Sequence, residues 1–209
     1  MGPVMKLYTS RLAPNPRRVR WLMAEKGIDD IEIEDVDLMT GAHRAPDYVA
    51  LAGIANTPAL TLDSGVTITE SVAICRYLES LYPEPNLFGR GAEEIAVIEM
   101  WTRRAEMKGA TPLMMAVRHL HPALAALETQ SAEVGANFVE VATAALPLFE
   151  ARLGQCDWIG GDRITIADGI LYSGLEFARM VRFKIPDTMP LLTGWLAAMR
   201  ERPSGKAGG

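Results

Sequence analysis

An α/β N-terminal domain followed by an all-α C-terminal domain is predicted by three features of this 209-residue chain. Short β-like runs alternate with helical patterns through the first third, as they do when a chain builds βαβ units around a sheet. A run with two prolines, an asparagine and two glycines, YPEPNLFGRG, interrupts the pattern at 82–91. Beyond it no strand pattern appears, only long stretches of helical periodicity. The expected boundaries are 5–82 for the α/β domain, 83–91 for the linker and 92–202 for the helical domain. The tail 203–209 is small and polar and is expected to be disordered.

Each element has a local reason. Met5 to Thr9 reads as a strand. Asn15 is placed to N-cap a helix with Pro16 at its first position, Val19, Leu22 and Met23 share one face, and Gly27 closes the helix. Ile31, Ile33 and Val36 suggest a second strand, followed by a polar stretch from Thr40 to Gly53 with room for one short helix. Ala59 to Leu62 and Val66 to Ile68 form a hairpin around Asp63-Ser64-Gly65. A helix starts near Glu70, lined by Ile74, Tyr77, Leu78 and Leu81. The order β-α-β-(α)-β-β-α results. Downstream, helices are expected over Glu93 to His119, Ala132 to Leu153, Ile166 to Arg182 and Thr188 to Arg200.

Composition narrows the function. Lys and Arg total 21 against 26 Asp and Glu, a net charge of −5, which argues against nucleic acid as a partner. Hydrophobic residues make up 49% and charged ones 22%, the balance of a soluble globular protein. The two cysteines, Cys75 and Cys156, form no CxxC pair, so neither a disulfide framework nor a thiolate zinc site is expected, and a reducing cytoplasm fits. No stretch approaches the ~18 uncharged apolar residues of a membrane span, and the N-terminus has no signal-peptide core. Met5 is a possible start, with 1–4 an extension.

Two local patterns carry chemistry. In Asn56-Thr57-Pro58-Ala59-Leu60 a proline precedes an apolar strand. It restricts Thr57 to extended backbone and, if cis, turns the Thr57 N–H and C=O outward toward an extended peptide. In Thr69-Glu70-Ser71 a strand runs into a helix. This is either a plain N-terminus with an acidic residue or a site where Ser71 and the helix amides hold an α-carboxylate beside an ammonium on Glu70. His119 and His121 lack the further ligands a metal would need. Met100, Met107 and Met114 are spaced by seven, as for core or dimer packing, and Arg104, Lys108, Thr111 and Met115 follow three-and-four spacing on one helix face. Cys75, between Ile74 and Leu78, reads as a small buried hydrophobe.

These features, in this order, resemble the cytosolic glutathione S-transferases over Lys6 to Arg202. KLYTSRLAPNPRRVRWLMAEKGI is similar to the family's first βα unit, TPAL to its cis-proline strand and TESVAICRYLE to its γ-glutamyl site. GDRITIADGILYS resembles its helical-domain capping box, with Thr165 and Asp168 three apart. APNPRRVR and EMWTRRAE (99–106) look most like bacterial members related to the yeast Gtt2-like subgroup.

The resemblance implies a thioredoxin-like N-terminal domain and glutathione as co-substrate, without a metal. Glu70 and Ser71 would bind the γ-glutamyl end, Thr57 before Pro58 the cysteinyl backbone, and His43 the glycyl carboxylate. Ala55 stands where many relatives carry Lys or His for that carboxylate. Ala13 stands where many carry the Ser or Cys that stabilises the thiolate, a real departure because a free thiol of pKa about 8.5 is mostly protonated at neutral pH. Ser10, Asn15 and His119, with His121 beside it, are the candidates to replace it. Arg104, Met107, Lys108, Thr111 and Met115 would form the wall for a largely apolar electrophile. The family implies a cytoplasmic homodimeric detoxification transferase. A non-catalytic glutathione-binding scaffold, or a glutathione-dependent isomerase or dehalogenase, are the alternatives on the same fold.

Overall fold

The computed structural model describes residues 5–11 and 13–207, so the possible extension at 1–4 lies outside the described residues. The chain divides into two compact units, 1–85 with 203–209, and 86–202.

The first unit is built on a four-stranded sheet in the order β2-β1-β3-β4. Its strands are β1 (Lys6–Thr9), β2 (Glu32–Asp35), β3 (Ala59–Thr61) and β4 (Thr67–Thr69). β1 runs parallel to β2 and antiparallel to β3, and β3 and β4 form the expected hairpin with Gly65 at φ 84° in its turn. Lys6 spans the parallel pair, bonding Glu32 at 2.8 Å and Glu34 at 2.7 Å. Alternation along β1 and β3 separates two faces. Leu7 and Leu60 are fully buried with Val19 and Leu22 of α1 (Pro14–Lys26) and Ile74 and Leu78 of α3 (Ser71–Leu81). Tyr8 and Ala59, on the other face, pack with Val36 and with Tyr48 and Ala52 of α2 (Pro46–Ala52). Lys26 ties the C-terminal ends of α1 and α3 together through Glu79 at 2.7 Å and the Tyr82 carbonyl at 2.8 Å.

Three expectations for this unit need correction. Asn15 is not the N-cap of α1. The helix begins at Pro14 and extended Ala13 occupies the cap position, because a proline at the first position has its φ preset and no N–H to be capped. Leu81, counted on the apolar line of α3, is 47% exposed, since the line drifts off the buried face in the last turn. The tail is not disordered over the described residues: α9 (Pro203–Lys206) packs on α1, with Ser204 buried and hydrogen-bonded to Glu25.

The second unit is helical: α4 (Gly91–Arg104), α5 (Thr111–Leu120), α6 (Ala132–Leu153), α7 (Ile166–Ala178) and α8 (Pro190–Glu201). α7 is its centre, buried from Ile166 to Leu175. The capping box at its start is present. The Asp168 carboxylate accepts from the Thr165 N–H at 2.9 Å and the Ile159 N–H at 2.8 Å, and from the Trp195 indole at 3.0 Å. Burial raises the Asp168 pKa and these hydrogen bonds oppose the rise. Leu87 and Phe88 are buried in this unit, and the Leu87 carbonyl accepts from the Ile166 N–H, so these two residues of the 82–91 run pack with the helical unit. α6 has the length and mean hydropathy of a membrane span, but it packs against α5 and α8.

The single helix expected over Glu93 to His119 is interrupted by a π-helical segment, Ala105–Ala110. Pro112 explains it in part: with no N–H it cannot continue the ladder back to Lys108, and the wider turn comes just before it. The extra residue in that turn also breaks the seven-residue register. Met100 is 40% and Met107 61% exposed, so the methionines do not form a buried core stripe.

Candidate functional site

The register Ala59 opposite Thr69 puts the next residues outward, Pro58 and Glu70, at the same end of the β3–β4 pair. The Thr57–Pro58 bond is cis. The strand ladder begins only at Ala59, which leaves the half-buried Thr57 backbone outside it. Across the pair, Glu70 adopts φ 67° and ψ 115° at the N-cap of α3, a region costly for a residue with a Cβ, on the order of 1–3 kcal/mol. The Ile74 N–H caps back to the Glu70 carbonyl at 3.0 Å. The amides of Ser71, Val72 and Ala73 therefore have no partner within the helix, as the first turn of any helix requires. Glu70 is exposed and Ser71 is only 4% exposed.

The Ser71 hydroxyl accepts a hydrogen bond from Arg18 at 3.2 Å, which leaves its own proton to donate. Arg18 is 3% exposed and was not among the residues expected at the site. Its signal in the sequence is an arginine one turn before Leu22, on the same face of α1. His43 is 8% exposed in the one-turn helix Ala42–Arg44, so it is not a solvated loop residue; Ala55 is half-buried.

A second group surrounds the β1–α1 loop. Ser10 is 4% exposed. Arg20 reaches back to hold the loop, donating to the Thr9 hydroxyl at 2.5 Å and to the Ser10 and Arg11 carbonyls at 2.7 and 3.2 Å. This clamp was also missed, because nothing in the run PRRVR marks one arginine as a loop ligand. Burial and the nearby Arg17 lower the Arg20 pKa to about 10, so it remains a cation at neutral pH. At the start of α1, Pro14 and Pro16 have no N–H, so Asn15 alone supplies a backbone donor among the first three helical residues. The Asn15 Oδ1 is buried without a hydrogen-bond partner among the described residues.

In the helical unit, His119 Nδ1 accepts from the Ser131 N–H at 3.2 Å, and its ring stacks on Phe138 with centroids 6.3 Å apart. Because Nδ1 is an acceptor, the neutral ring carries its proton on Nε2. His121 instead accepts from the Ala123 N–H at 3.3 Å. The face expected from Arg104, Lys108, Thr111 and Met115 is rotated apart by the π segment. Arg104 lies 4.7 Å from the Trp101 ring, Met107 and Lys108 are exposed, and Thr111 and Met115 are half-buried. Among the described residues no group of three or more His, Cys, Asp or Glu is placed to hold a metal ion.

Comparison with known proteins bears on the fold and the family. The family models for the N-terminal and C-terminal domains of glutathione S-transferase match residues 13–81 and 105–203. The chain is 31% identical to glutathione S-transferase 2 of Saccharomyces cerevisiae over 209 residues, covering 99% of this chain and 90% of the relative. It is 34% identical to the maleylacetoacetate isomerase of Pseudomonas aeruginosa over 185 residues, covering 83% of this chain and 81% of that one. The crystal structure of Gtt2 from S. cerevisiae superposes with a TM-score of 0.91 at 30% identity, covering 98% of this chain and all of that one.

Proposed function

Since the chain belongs to the glutathione S-transferase family, whose co-substrate is glutathione, we propose that it activates the glutathione thiol for addition to an electrophilic, largely apolar small molecule. One observation carries the reading: Pro58 and the Glu70-Ser71 turn lie at one end of the same strand pair. In this reading the γ-glutamyl carboxylate lies on the free amides of α3 and the Ser71 hydroxyl, its ammonium on Glu70, and the cysteinyl backbone on Thr57. His43 takes the glycyl end. Placing the tripeptide this way leaves its sulfur to a donor other than Ala13.

Three groups are candidates for that donor. Ser10 offers a hydroxyl on a loop that Arg20 holds in place. Asn15 offers its backbone N–H and a side-chain amide whose Oδ1 has no hydrogen-bond partner among the described residues. His119 contributes as an Nε2–H donor, because its Nδ1 is already engaged. Each would stabilise a thiolate rather than remove a proton. For the electrophile the half-buried Thr111 and Met115 are the candidates, since the π segment turns Arg104, Met107 and Lys108 out of one continuous face with them, and the working form is a cytoplasmic homodimer.

The binding assignment is tested by replacing Glu70 and Ser71 with Ala together. Retention on immobilised glutathione should be lost with the circular dichroism spectrum unchanged; full retention would remove the assignment. Activation is tested by the ultraviolet absorbance of bound glutathione thiolate against pH in Ser10→Ala, Asn15→Ala and His119→Ala. The variant that removes the true donor should return the apparent pKa toward the free value of about 8.5. An isomerase reading of the same thiolate draws on the Pseudomonas relative, and turnover of a cis-enone substrate without loss of glutathione would favour it.

A further inference from the structure

The C-terminal end of α6, the segment 155–165 and one face of α4 enclose a groove of about 550 Å3, built wholly from the helical unit. Val97 and Ile98 give it an apolar floor, and Arg152, Gln155, Asp162 and Arg163 stand around it. The charges in it are not equivalent. Arg163 is already committed, donating to Glu94 at 2.6 Å and to the Asn86 side chain at 2.8 Å. Arg152 is held but not neutralised. Its Nε and Nη2 donate to the carbonyls of Ile159 and Gly160 at 3.2 and 3.3 Å, and its guanidinium lies 4.9 Å from the Trp101 ring. These contacts fix the guanidinium and leave Nη1 with no hydrogen-bond or ion-pair partner among the described residues. The Asp162 carboxylate, on the same groove, likewise has no partner among them.

A cation and an anion that border one groove without bridging each other leave a gap between them, complementary to a ligand that carries both charges. The volume falls within the range of small-molecule sites, about 300–1,000 Å3. We infer that this groove is a second small-molecule site, for an α-amino-acid zwitterion with an apolar side chain. The ligand carboxylate meets Arg152 Nη1, its ammonium meets Asp162 and its side chain lies on Val97 and Ile98. The site is independent of the glutathione assignment, since it shares no residue with it.

Cys156 borders the groove and is half-buried, whereas Cys75 is fully buried, so Cys156 serves as the reporter. The test measures the rate of maleimide labelling at Cys156, read by peptide mass, with L-phenylalanine, phenylacetate or phenethylamine present. L-phenylalanine should slow labelling saturably by at least threefold, while the singly charged analogues at equal concentration should leave it unchanged. Asp162→Asn, a change at an exposed position, should weaken the protection by L-phenylalanine at least tenfold, measured against that variant's own ligand-free labelling rate, because, after burial, the Asp162 charge helps to hold the Cys156 thiol pKa up. The inference is overturned if millimolar L-phenylalanine gives no protection, if phenylacetate protects as well, or if Asp162→Asn binds like the wild type.

Discussion

Ser71 depends on a residue that is not next to it in sequence. The Arg18 guanidinium fixes the serine oxygen as an acceptor, so the hydroxyl proton points to whatever lies at the mouth of α3. Arg18→Met preserves much of the buried stem but removes the donor, and leaving the hydroxyl acceptor unpaired costs about 1–3 kcal/mol. Retention on immobilised glutathione should weaken and the urea midpoint should fall; an unchanged midpoint would mean that Arg18 has no structural part in the site. Cys75 gives a second prediction at this scale. Burial pushes its thiol up to about 12, so in native protein only Cys156 should label at neutral pH, and Cys75 should react only on unfolding. Glu70, Ser71, Thr57 and Pro58 were legible as candidates because each belongs to a local pattern. Arg18 showed only as an arginine on the apolar face of α1, with nothing to name its partner on α3, and Arg20 not at all, because a long side chain reaching back to a loop leaves no trace in spacing.

At the scale of elements, the π-helical segment matters most to the helical unit. A Cβ on Gly174 would stand 2.5 Å from the Ala110 Cα, and one on Gly109 would stand 2.6 Å from Leu171 Cδ1. The small residues therefore let the widened turn lie against α7. Gly174→Ala meets backbone rather than a flexible side-chain tip and should destabilise the protein by about 1–3 kcal/mol in urea unfolding, despite alanine's better helix propensity. A gain in stability would show that the two helices can move apart freely. The helices themselves were legible from period, caps and punctuation: Gly27 ended α1, and Thr165 and Asp168 opened α7. The π segment was not legible, because the apolar pattern runs through 93–119 and only Pro112 marks the fault. The start of α1 was misplaced for a related reason. Asn15 is a good cap by type, but the proline before it had already begun the helix.

For the whole molecule, the two-domain division was readable from composition at 82–91, although the buried Leu87 and Phe88 show that part of that run is core. Met100 and Met107, both exposed, are the apolar residues of α4 and the π segment that the proposed homodimer would cover. Met100→Glu with Met107→Glu should reduce the sedimenting mass from that of a dimer toward 22.8 kDa; a dimer that persists would place the contact elsewhere. The fold holds one further consequence, in the order in which the chain is made. Since α9 packs on α1 and Ser204 bonds Glu25, the first unit is completed by residues synthesised after the entire helical unit. On the ribosome the sheet and its helices emerge before the helical unit and wait, with the α9-binding surface of α1 uncovered, until residues 203–206 have followed it. That short helix thus acts as a closing stitch, making completion of the first unit wait on synthesis of the second.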